Sequence, residues 1–154
     1  MRVSAKADYA VRAAVELAAA AAADRGPVKG LEVAEAQNIP LRFLENILGE
    51  LRHAGIVQSQ RGTDGGYWLA RTPDDITLAE IIRSVEGPLA SVRGERPEDL
   101  EYSGDALHLK EVWVALRANI RQVLESTTLA DVVDHRLPAP VTAILDRPEV
   151  WEPH

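Results

Sequence analysis

The chain has 154 residues, 46% of them hydrophobic and 27% charged, enough for one domain with an added arm and too apolar for a disordered protein. It has no cysteine, which excludes disulfides, thiolate metal sites, cysteine catalysis and thiol redox sensing. The net charge of −7 is uneven: residues 1–71 hold nine Lys/Arg and eight Asp/Glu, while 72–154 hold eight and sixteen. Only the first half could carry a local basic face, and the second would repel nucleic acid.

Residues 4–23 read as a helix. Ser4 suits the N-cap, and Ala7, Ala10, Ala14, Leu17, Ala18 and Ala21 form one stripe at helical spacing. Arg2, Lys6, Asp8, Arg12 and Glu16 interrupt the apolar run, so it resembles neither a signal peptide nor a membrane span. The cytoplasm, with no membrane partner, is the expected location. "DRGPVKG" (24–30) breaks the helix, and "LEVAEAQN" (31–38) reads as a short second one. In 41–55, Leu44, Ile47, Leu48, Leu51 and Ala54 mark an amphipathic helix that ends at Gly55. "IVQSQ" (56–60) and "YWLAR" (67–71) are strand-like, and "RGTDGG" joins them as the glycine-rich tip of a hairpin.

Another helix follows at 77–87, with Thr77 and Glu80 in capping-box spacing. Residues 88–106 form a long polar loop. In the next helix Leu109, Trp113, Leu116, Ile120 and Val123 are spaced 4, 3, 4, 3, which is a heptad seam. Residues 127–137 predict a shorter helix, and 138–154, with four prolines, an irregular tail.

The hairpin tip lacks the Lys-Ser/Thr pair and following helix of a nucleotide-binding loop. Its glycines and Arg61 suit a DNA backbone or a narrow minor groove, which attracts arginine. Short helix, tight turn, longer helix and hairpin make a helix-turn-helix with a wing, whose second helix enters the major groove. The outward positions early in that helix are Arg42, Glu45 and Asn46. These residue types can read guanine, cytosine and adenine respectively.

The stretch "IP…FLE.IL..L..AGIV.S.RG..GGY.LAR" and the following "I.L.EII...EG" resemble the IscR/NsrR/CymR family of winged-helix regulators. With "S.KADYAVRA...LA" before and "VW..L...I..VL...TLAD" after, the resemblance covers roughly residues 1–133. It implies a mostly α fold: a winged helix-turn-helix domain over 1–87, a loop over 88–106, dimerisation helices over 107–137 and a tail over 138–154. It also implies a homodimeric repressor on an inverted-repeat operator in double-stranded DNA. By matching positions, Arg42, Glu45 and Asn46 would read bases and Arg61 would enter the minor groove. Gly62, Thr63, Gly65, Gly66 and Tyr67 would complete the wing, and Lys6 and Tyr9 would lie near the DNA backbone.

One departure matters. Many relatives hold an iron–sulfur cluster through cysteines in the loop that corresponds to 88–106, and this loop has none. Arg12 stands where some relatives place a non-cysteine ligand, and a guanidinium offers no acceptor. No iron–sulfur cluster and no other cofactor is therefore expected. His108, Glu111 and Asp105 form at most a partial metal site of a kind common on exposed helices, so no metal is expected either. Trp68, Tyr102 and Trp113 are candidates for a small-molecule effector pocket, although Trp113 on a heptad seam also reads as core. A regulatory protein is the other candidate effector. No GxSxG or HExxH motif is present, so an enzyme is not expected. The rival reading is a winged helix that docks a protein and binds no DNA.

Overall fold

The computed structural model describes residues 2–153. At its centre lies α1 (Ala5–Ala22), started by Ser4, whose hydroxyl accepts the Ala7 N–H at 3.1 Å. It buries Ala7, Ala10, Ala13, Ala14, Leu17, Ala18 and Ala20. The stripe is wider than the spacing predicted, and Ala21 falls outside it, exposed. Small side chains let neighbouring backbones come close, and α1 is packed on by α2 (Gly30–Gln37), α3 (Leu41–His53), α4 (Leu78–Glu86), α6 (Leu129–Val133) and the second strand of the hairpin.

The hairpin pairs β1 (Val57–Gln60) with β2 (Gly66–Leu69), antiparallel, in the register Val57 to Leu69 and Gln60 to Gly66. β2 begins one residue earlier than expected, so residues 61–65 form the tip. Val28 adds a third edge: it exchanges backbone hydrogen bonds with Tyr67 at 2.9 and 2.8 Å. Thr77 caps α4 by accepting the Glu80 N–H at 3.2 Å, but the Glu80 carboxylate turns to Arg71, so the predicted box is half made.

Then come a loop with two 3-10 turns, α5 (Leu109–Ser126), α6 and α7 (Ala139–Leu145). In the loop, Leu89, Pro97 and Leu100 are buried. Backbone bonds from Leu78 to Thr127 (2.9 Å) and from Leu129 to Ile76 (3.0 Å) stitch α6 to the start of α4. A capping box of Thr128 and Asp131 starts α6, and His135 at φ 54° lies just past its end, so the predicted 127–137 helix shortens to 129–133. The expected irregular tail is largely ordered. α7 occupies 139–145 and packs on α5, and a 3-10 turn spans Pro148–Trp151. Its prolines flank or open the helix, where a missing N–H costs nothing. Among the described residues no helix is long and apolar enough to cross a membrane.

Candidate nucleic-acid interface

The helix-turn-helix is built by local rules. α2 stops at Asn38, which adopts the left-handed conformation (φ 51°, ψ 50°) that its short polar side chain tolerates. Ile39 then drops into the core, 4% exposed. Pro40 precedes α3 at its N-cap. At the far end Gly55 takes φ +75°, and the Ile56 N–H closes on the Leu51 carbonyl at 3.0 Å. α3 is pinned through Leu44, Ile47, Leu48 and Leu51, each at most 1% exposed. Ala54, expected on that stripe, is exposed.

With the apolar face fixed, the outward face follows from 100° per residue. Arg42, Asn46, Gly49 and His53 run along its middle. Phe43 and Glu50 lie on the flank toward α1, where Glu50 meets the Lys6 ammonium at 2.8 Å. Glu45 and Arg52 lie on the flank toward the wing, where Arg52 donates to the Ser59 hydroxyl at 3.2 Å. Arg42, Glu45 and Asn46 are all exposed, as their spacing predicted.

The wing shows why its glycines are needed. A Cβ on Gly65 would sit 2.1 Å from the Gln60 carbonyl oxygen, and one on Gly66 would sit 2.6 Å from that of Val28. Gly62 has open space around it but stands at φ +107°. The Lys29 ammonium donates to the Gly62 carbonyl at 2.8 Å and ties the tip to the segment before α2. Nothing in the sequence pattern singled out Lys29. Arg61 and Thr63 are exposed at the tip. Nearby arginines are tied down, Arg25 to Glu32 and Arg71 to Glu80.

Three expected contact residues have work inside the fold. Tyr67 is half-buried against the core, with its backbone bridged to Val28, so it forms the wing's base and not its contact tip. Lys6 is divided between Glu50 and the Val85 carbonyl at 2.9 Å. Tyr9 packs edge-on against Phe43, ring centroids 5.7 Å apart, with the Arg12 guanidinium 5.0 Å from its ring centre. Phe43, which the periodicity passed over, is 43% exposed.

Three of the five heptad residues of α5 are engaged within the chain. Trp113 donates its indole N–H to the Tyr102 hydroxyl at 3.1 Å, and Ile120 and Val123 line a cavity of about 560 Å³ against Val3, Ile82 and Leu89. None of the α5 residues is fully buried. Leu109 and Val112, one turn apart, remain 39% and 53% exposed, and Val114, on the opposite side of the helix, 40%.

The expected effector pocket is not assembled. Tyr102 and Trp113 meet, but Trp68 lies on β2, bonded to Gln58 at 2.9 Å. It lines a separate hollow with Ala18, Pro73 and Ala130. His108 and Glu111 are 3.6 Å apart and strongly exposed. No cluster of three or more ligating residues that could hold a metal ion occurs among the described residues.

Two ion pairs fasten α5 to its surroundings. Hydrogen bonds from Arg121 and Arg83 hold the Glu125 carboxyl below the ordinary carboxylate range. The Arg117 guanidinium does the same to Glu98 in the 88–106 loop.

Comparison with known proteins supplies the context. The model of the Rrf2 family, described as an iron-dependent transcriptional regulator, matches residues 3–135. A Mycobacterium tuberculosis protein named as a helix-turn-helix-type transcriptional regulator is 51% identical over 146 residues, 95% of this chain and 89% of its own length. CymR of Bacillus subtilis is 37% identical over 88% of this chain and 91% of its own. Its solved structure, titled as the global cysteine regulator, superposes with a TM-score of 0.74 at 36% identity, covering 88% of this chain and 98% of that one. IscR of T. potens superposes with a TM-score of 0.68 at 34% identity, covering 100% and 93%.

Proposed function

The chain belongs to the Rrf2 family of transcriptional regulators, and from that premise we propose that it is a homodimeric repressor that reads an inverted-repeat operator. It is a transcription regulator with a DNA-binding winged helix, and not an enzyme. The observation that carries the finer reading is the shared exposure of Arg42, Glu45 and Asn46 on α3 and of Arg61 on the wing. Arg42 and Asn46 stand one helical turn apart at the middle of the outward face. That face suits the major groove, where arginine pairs with guanine and asparagine with adenine. Arg61 suits the flanking minor groove.

A dimer doubles this contact and reads two half-sites. The exposed Leu109 and Val112 of α5, one turn apart, supply apolar surface for it. The acidic second half of the chain keeps that surface off the DNA. Phosphate contacts would supply much of the affinity and make it fall steeply with salt.

The iron of the family description does not fit a thiolate-held cluster here. The chain has no cysteine, and Arg12 is paired with Asp8 at 3.1 Å and with the Gln37 carbonyl. No step of the proposed action passes through a metal.

Fluorescence anisotropy on duplexes, across a salt series, tests the proposal. Asn46→Ala is expected to relax preference at one position of each half-site, a cost of about 1–3 kcal/mol. Arg61→Ala is expected to weaken binding most where the flanks are A·T-rich. Duplex binding that is weak at every salt concentration would favour the rival reading, a winged helix that docks a protein.

A further inference from the structure

Phe43 is a large apolar side chain on the exposed flank of α3 to which the proposed function gives no task. Packing within the chain covers only part of the ring, and 43% of the residue stays exposed. The ring is outside the buried set of Leu44, Ile47, Leu48 and Leu51. It is also not loose. Tyr9 meets it edge-to-face at 5.7 Å and 86°, the Arg12 guanidinium lies 5.0 Å from the Tyr9 ring centre, and Arg12 donates to the Gln37 carbonyl at the end of α2. This ladder ties all three helices of the reading head together and holds the phenyl ring while it stays 43% exposed. Asn46 follows three residues later, so the two side chains are neighbours on the helix surface.

We propose that Phe43 is a base-reading residue that recognises a thymine through its C5 methyl group, beside the base pair met by Asn46. The proposal rests on the DNA-binding reading above. The chemistry is specific: thymine alone of the four bases presents a methyl in the major groove, and an apolar side chain is its ordinary partner. Arg42, Glu45 and Asn46 can address guanine, cytosine and adenine by hydrogen bonds, and Phe43 completes the set. Because Tyr9, itself backed by Arg12, holds the ring, little rotamer freedom is lost on binding.

The test uses the full-length protein and an operator duplex selected by it from a random-sequence pool. Each thymine is replaced in turn by deoxyuridine, which removes only the methyl. Wild-type affinity is expected to fall about fourfold at one thymine per half-site, the worth of one buried methyl-sized group. Phe43→Ala should bind the unmodified operator more weakly and be indifferent to that one replacement. Phe43→Leu, which keeps an apolar side chain and serves if the alanine variant does not fold, should retain the sensitivity. A flat deoxyuridine scan with wild-type protein overturns the proposal, as does a scan that Phe43→Ala leaves unchanged. Both would leave the DNA-binding reading standing. Failure of the wild-type protein to select any duplex would overturn that reading itself, and the proposal with it.

Discussion

Gly49 sits in the interior of α3, on the middle of its outward face, and a Cβ built there meets nothing within 4 Å. Glycine in a helix interior costs about 0.8–1 kcal/mol relative to alanine. Nothing within the chain requires that cost: the position has no positive φ and no close neighbour. The proposed function supplies a reason, since a bare backbone lets the helix lie deeper against a ligand. Gly49→Ala is therefore expected to stabilise the fold by about 1 kcal/mol, a rise in Tm of roughly 2–4 °C for a chain of this size. It should also weaken DNA binding, because the added methyl must be accommodated in a packed interface. An overpacking cost of about 1–3 kcal/mol corresponds to roughly 5- to 150-fold in Kd. Thermal unfolding followed by circular dichroism and anisotropy titration on one operator give both numbers from the same preparation. An unchanged Kd with the expected rise in Tm would show that the DNA does not approach α3 at Gly49. A fall in Tm would refute the reading of the site as strain-free.

Three further outcomes follow from the same geometry. Gly65→Ala must displace the Gln60 carbonyl, so it should cost about 1–3 kcal/mol in stability and shift the wing amide resonances. Gly62→Ala, with open space around it but φ at +107°, should cost less. Leu48→Ala, at a position 0% exposed beneath the reading face, should destabilise by about 2–5 kcal/mol in a denaturant titration. The Glu125 carboxyl, held low by Arg121 and Arg83, should contribute stability above its unfolded pKa and lose it as pH falls through the lower folded value. An NMR titration of Arg83→Gln is expected to show the Glu125 pKa moving back up toward the ordinary carboxylate range.

The exposed face of α3 was legible because its constraints are local. The spacing of Leu44, Ile47, Leu48 and Leu51 fixes which face of α3 is buried, and Arg42, Glu45 and Asn46 follow by exclusion. The wing glycines were legible for a related reason, since two of them fill places where any Cβ would meet backbone. Non-local facts left no such mark. Val28 bridges to the base of the wing and Lys29 clamps the tip, but neither has a pattern of its own. The heptad of α5 marks an apolar face. Periodicity cannot say which surface that face meets, and Trp113 and Ile120 turn to neighbours within the chain. Pro138 and Pro140 suggested an irregular tail because proline breaks helices, yet at the N-cap and first turn it is tolerated. Phe43 was passed over because it lies beside the buried stripe and not on it.

The most direct test of the central claim is a selection from sheared genomic DNA by the purified full-length chain, with sequencing of the bound fragments. The account predicts enrichment of an inverted repeat whose half-sites lie about one helical turn apart, or a multiple of it. It also predicts loss of that enrichment with Arg42→Ala combined with Asn46→Ala. Bound fragments no different from the input would contradict it.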